Sequence, residues 1–180
     1  MSTNDRLATT RAVVNDYFNC RINNTSNVTN QLFLNVRRLA SDCERNYQLQ
    51  QPKFHFRATS SSLTDVRTFH LEIALELFND GIVSWGRIIT LIVFSALMAD
   101  RLIQHGLDAQ LTKTSMIDWT TDFINVNLRT WLEAQNYWDG FMTMCQKNSQ
   151  KRISVTRYAS LLGTVGMITL GALYMNKYAY

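Results

Sequence analysis

NDGIVSWGRIITLIVFSA, residues 79–96, decides how the chain folds. Asp80-Gly81 suits the end of one helix, because glycine accepts the left-handed backbone that follows a helical C-terminus. Ser84 can cap the start of the next, its hydroxyl accepting a backbone N–H that the first turn leaves without a partner. Behind this cap, Ile88 to Ala99 is uncharged on every face, which a helix with one side in water could not be. The stretch therefore predicts a buried central helix wrapped by others, its uncharged run being too short to span a bilayer unaided. Gly86 in the first turn lets another backbone come close, and Arg87 puts a permanent cation at the mouth of an apolar helix. Arg87 has two readings: it docks an acidic partner, or it neutralises an acid of its own chain, the commoner fate of a lone arginine.

Working outward, the segments on either side carry helical periodicity. Leu7, Val14, Tyr17 and Phe18 share a face between about Arg6 and Ile22, and the polar stretch Asn23 to Asn30 interrupts helix by bonding to its own backbone. From Gln31 to about Gln48, Leu32, Val36, Leu39, Cys43 and Tyr47 recur at spacings of three and four, and Pro52 closes that helix. Ser62 with Asp65 marks another start, followed by Val66, Phe69, Ile73, Leu77 and Phe78 on one side. Thr114 to Leu132 is again periodic through Ile117, Ile124, Leu128 and Trp131, and Asn136 to Phe141 begins a further short helix. Six or seven helices are expected, and a single proline and seven glycines in 180 residues agree with an all-α chain.

Composition bounds the function. Hydrophobic residues make up 46% and charged residues 18%, which excludes an intrinsically disordered chain. The net charge of +4 is unevenly spread: Leu71 to Gly140 holds four basic side chains against nine acidic, whereas residues 141–180 hold no acid. The overall basic balance is therefore poor evidence for nucleic-acid binding, and none is expected. Cys20, Cys43 and Cys145 are widely spaced and form neither a disulfide set nor a zinc site, so a reducing, cytosolic exposure is expected. Met1 to Arg11 lacks the apolar run of a signal peptide, so the sequons at Asn23, Asn24 and Asn27 should not be glycosylated. His55, His70 and His105 stand apart from other ligands, and no phosphate loop, serine elbow or paired-acid motif occurs. No catalysis, metal or cofactor is expected. Trp85, Trp119, Trp131 and Trp138 are read as core.

Tyr158 to Met175 is a run of 18 uncharged residues, preceded by Lys151, Arg152 and Arg157 and followed by Lys177. At 1.5 Å per residue it reaches roughly 27 Å, just adequate for the hydrocarbon core of a bilayer. Basic flanks suit an anionic cytoplasmic leaflet. The chain accordingly divides into a helical bundle, residues 1–150, and a basic linker with a C-terminal transmembrane tail anchor, residues 151–180.

The stretch from Asn79 to Ala96 resembles the first homology motif of the Bcl-2 family of apoptosis regulators. TWLEAQNYWDGF, residues 130–141, resembles the second, with its tryptophan as Trp131 and its Trp-Asp-Gly signature as Trp138-Asp139-Gly140. VRRLASDCERN, residues 36–46, is similar to the third, the BH3 helix that members present to one another, and the first helix sits where the fourth is expected. Two departures matter. Ser84 stands where the family has asparagine, a mild exchange of one good N-cap for another. In the third motif Ala40-Ser41 replaces Gly-Asp, with Asp42 displaced by one position and so by about 100° round the helix.

The resemblance implies a Bcl-2-like bundle with a buried central hydrophobic hairpin, Ile88 to about Leu132, and a hydrophobic groove that holds a partner's amphipathic helix. The implied groove residues are Ile73, Ala74, Leu77, Val83, Thr90, Leu91 and Phe94, with the Ser84-Trp85-Gly86-Arg87 turn and Arg87 at its polar edge; Leu39, Cys43 and Tyr47 complete the floor. A ligand helix buries anchors at i, i+3 or i+4 and i+7, and a charge pair at the rim fixes register. The implied partners are the BH3 helices of death-promoting relatives, Bak/Bax-like and BH3-only proteins. A damaged ligand helix beside an intact groove motif favours a pro-survival receptor at the mitochondrial outer membrane or the endoplasmic reticulum. The alternative is a Bak/Bax-like effector, since residues 116–141 also resemble Bax.

Overall fold

The structure, a computed structural model, describes residues 3–25, 27–50 and 62–150. Seven helices follow one another there: α1 (Thr3–Asn23), α2 (Gln31–Gln50), α3 (Leu63–Leu77), α4 (Trp85–Gln104), α5 (Ala109–Asn127), α6 (Arg129–Ala134) and α7 (Trp138–Gln150), with no strand among the described residues. The expected tail anchor, residues 158–175, lies outside them. None of the described helices is long and apolar enough to cross a membrane.

α4 forms the axis of the bundle. Thirteen of its twenty residues are buried, Ile88, Leu91, Ile92, Val93 and Ala96 completely, and it touches α1, α2, α3 and α5. Its start is capped as its sequence dictates, with Ser84 Oγ accepting the Arg87 N–H at 3.3 Å. α3 begins on Ser62, whose hydroxyl accepts from Thr64, and its last turn gives way to Gly81 at φ +73°, the left-handed backbone expected of that glycine. α1 lays Val13, Val14, Tyr17 and Phe18 against α4 and α5, and α2 contributes Val36, Leu39, Ala40 and Cys43.

Three boundaries differ from the periodic reading. α5 starts at Ala109, not Thr114, because Asp108 caps it by accepting the Leu111 N–H at 2.7 Å, and the first turn is too polar to register as an apolar stripe. The stretch that reads as one helix to Leu132 breaks at Leu128, leaving α6 as a separate six-residue helix. Asn136 and Tyr137 are not helical: both take positive φ, 56° and 54°, and α7 begins only at Trp138 and runs on to Gln150. Trp85 meets Trp131 and Phe141 edge to face there, Trp138 meets Phe141 in the same way and Trp85 at a tilt, and Trp138 Nε1 donates to Thr10 at 3.0 Å, tying α7 to α1.

Candidate functional site

α2 and α3 each rest on α4, and few contacts join the two directly. The chain seats the two separately: α2 meets α4 through its buried stripe, and α3 meets α4 and α5 through Val66, His70, Ile73, Ala74 and Leu77. Cys43 of α2 lies over α4, its Sγ 3.6 Å from Thr90 Oγ1. Thr90 spends its own hydrogen on the Gly86 carbonyl at 2.9 Å, so the thiol is the donor, and burial pushes that thiol's pKa up.

The residues singled out from sequence fall into three groups. Leu39, Cys43, Ile73, Ala74, Leu77, Trp85, Thr90, Leu91 and Phe94 are all buried, under a tenth exposed, in the core that the helices share. Val83, Ser84, Gly86 and Arg87 are half-buried at the N-terminal end of α4. The side chain of Tyr47 lies outside the described residues. Sequence reading did not single out Ile82, which at 55% exposure is the largest apolar surface beside Arg87. Leu71 and Leu75 expose a further apolar strip on α3.

Arg87 is engaged by its own chain. Nη1 donates to Asp80 Oδ1, to the Leu77 carbonyl at 3.1 Å and to the Ile82 carbonyl at 3.0 Å, while Nη2 donates to Asp80 Oδ2 at 2.7 Å. The two planar forks match, as arginine and carboxylate geometry allows. These bonds hold the Asp80 carboxyl down at about 2 and raise the arginine further above its ordinary value, so both are charged at any physiological pH. Asp80 is also fixed from behind, its Oδ1 accepting the Ile82 N–H at 3.0 Å. In sequence Asp80 reads only as a helix stop, and it is the turn at Gly81 that brings it back onto Arg87.

The misplaced acid of α2 is also accounted for. Asp42 Oδ1 accepts from Arg45 Nη2 at 2.9 Å within the same helix. Ala40 is completely buried, so the third-motif face is turned into the bundle.

Comparison with known proteins establishes the family. The sequence model of the family described as apoptosis regulator proteins, Bcl-2 family, matches residues 36–138, from α2 through the start of α7. The chain is similar to apoptosis regulator R1 of Xenopus laevis (31% identical over 116 residues, 59% of this chain and 50% of the relative). It is similar also to apoptosis regulator BAX of Bos taurus (28% over 111 residues, 60% and 53%) and apoptosis regulator Bcl-2 of Canis lupus familiaris (26% over 149 residues, 80% and 61%). It thus spans about half to three fifths of the length of these curated relatives. Two solved structures share the fold. One is a zebrafish pro-survival protein, NRZ, in complex with a Bad BH3 segment (TM-score 0.64, 20% identity, 77% of this chain and 93% of that one). The other is Trichoplax adhaerens trBcl-2L2 bound to a trBak BH3 segment (TM-score 0.65, 23% identity, 77% and 98%). The protein belongs to the Bcl-2 family of apoptosis regulators.

Proposed function

We propose that the protein is a pro-survival receptor that sequesters the BH3 helix of death-promoting relatives in the furrow between α2 and α3. The observation that carries this reading is that α2 and α3 each pack on a common, largely apolar base, α4, with few contacts between them and a guanidinium at one end. An amphipathic helix supplies what such a slot lacks, apolar anchors at i, i+4 and i+7 and an acid for the rim. Because the base residues are under a tenth exposed, the walls must part for the anchors to enter. The buried Ala40 face, turned into the bundle, and Asp42, paired with Arg45 of its own helix, support a receptor over a donor role.

The uncharged run 158–175 between basic flanks supports attachment to the mitochondrial outer membrane, with the bundle facing the cytosol. The likeness to BAX supports a second reading, a pore-forming effector. Titrating the chain with a fluorescent Bak BH3 peptide is expected to give sub-micromolar binding that Arg87→Ala weakens by roughly tenfold. Absence of binding would remove the receptor reading. Dye-loaded liposomes separate the two family roles: a guardian suppresses release caused by an added effector, whereas an effector releases dye by itself once activated.

A further inference from the structure

We propose that Asp80 is an internal competitor for Arg87, so that it sets how strongly the furrow distinguishes a partner helix carrying a carboxylate opposite Arg87 from one carrying a neutral side chain. The proposal rests on the partner-helix reading given above. Its basis is the division of labour around the guanidinium. The Leu77 and Ile82 carbonyls also accept from Nη1, at 3.1 and 3.0 Å, so Asp80 is not the sole anchor of the arginine. Asp80 instead occupies a carboxylate-binding edge, with both of its oxygens on Arg87.

Exposure gives the pair a direction. The Arg87 side chain is 12% exposed and that of Asp80 49%, so Asp80 forms the solvent side of the pair. An incoming carboxylate therefore meets a like charge before it reaches the guanidinium, and must displace Asp80 or share the cation with it. Like charges competing for one cation repel, and the loss falls only on ligands that bring a charge. Asp80 is moreover pre-set: the turn at Gly81 and the Ile82 N–H hold its carboxylate against Arg87, so its own binding has little ordering entropy left to lose. A neutral amide at the same ligand position meets no such repulsion. Asp80 thus narrows the preference for acidic helices and admits partners whose acid is absent or misplaced.

The experiment uses the full chain, its Asp80→Asn and Asp80→Ala variants, a Bak BH3 peptide, and a twin peptide whose motif aspartate is asparagine. Affinities are read by fluorescence anisotropy, and circular dichroism checks that each variant keeps its helix content. Both variants are expected to bind the aspartate peptide roughly fivefold tighter, as befits a partly exposed ion pair, and to leave the asparagine twin within about twofold. Equal effects on the two peptides, or weaker binding of the aspartate peptide, would overturn the proposal and make Asp80 a positioning residue. If the aspartate peptide binds neither the wild type nor the variants, the receptor reading itself falls, and this inference with it.

Discussion

His70 Nε2 lies 2.8 Å from Ser95 Oγ, and the imidazole bridges α3 to the central helix inside the core. Thr120 Oγ1 of α5 is 3.3 Å from the same nitrogen. Ser95 and Thr120 already donate to the Leu91 and Met116 carbonyls, so both hydroxyls can only accept from the ring, which puts the hydrogen on Nε2. Burial lowers the pKa of this histidine to about 4. The unfolded chain takes up a proton near 6.5, so between these values it binds more protons than the folded one. Stability is fully present above pH 6.5 and is lost as pH falls towards 4. Urea unfolding at pH 7 and pH 5 is expected to differ by about 2 kcal/mol from this group, and His70→Leu should remove most of that difference.

Arg37 and Asp16 join α2 to α1 through two parallel bonds of 2.9 and 2.8 Å, and Arg37 Nη1 also donates to the Thr25 carbonyl of the connecting loop at 2.8 Å. Both side chains are largely covered, 14% and 11% exposed. Arg37→Ala strands a buried carboxylate and is expected to cost roughly 2–4 kcal/mol, whereas the double change with Asp16→Ala should cost less than the sum of the single ones. Chemical denaturation of the four proteins in this cycle measures it.

Gly140 sits under the Gln135 carbonyl so closely that a Cβ would lie 2.0 Å from its oxygen. Backbone of the preceding turn cannot yield as a side-chain tip can. Gly140→Ala is expected to destabilise the fold by roughly 2–4 kcal/mol in thermal or urea unfolding.

Asn136 and Tyr137 pass consecutively through left-handed backbone, at φ 56° and 54°. Asn136 is exposed, so Asn136→Gly relieves strain without loss of packing and is expected to stabilise by about 0.5 kcal/mol. Tyr137→Gly relieves the same kind of strain but removes a ring 4% exposed that lies under Arg6 of α1. That variant is expected to lose about 2 kcal/mol net, and comparing the two melting temperatures tests the distinction.

Much of the fold was legible because its punctuation is chemical: Ser62 and Ser84 cap the helices assigned to them, and the uncharged run after Arg87 is buried at every position but Leu97. The start of α5 was hidden because a cap and a polar first turn carry no apolar period, and the break at Leu128 because its apolar spacing continues across it. The all-helical class follows from pattern, whereas the partner of Arg87 does not. Periodicity says which face of a helix is buried, and a salt bridge closed by a turn depends on where the chain doubles back. The interior polar triad of His70, Ser95 and Thr120 was equally out of reach, since the three residues come from three helices and make no motif together.

Three of the four tryptophans lie in one cluster where α4, α6 and α7 converge, with ring centroids 4.9 and 5.3 Å from that of Trp85. Indoles this near couple electronically. The ultraviolet signal of the native chain is therefore dominated by one corner of the bundle, and α7 cannot lift from it without changing the emission. The molecule carries its own optical gauge for the position of α7, readable with no added label.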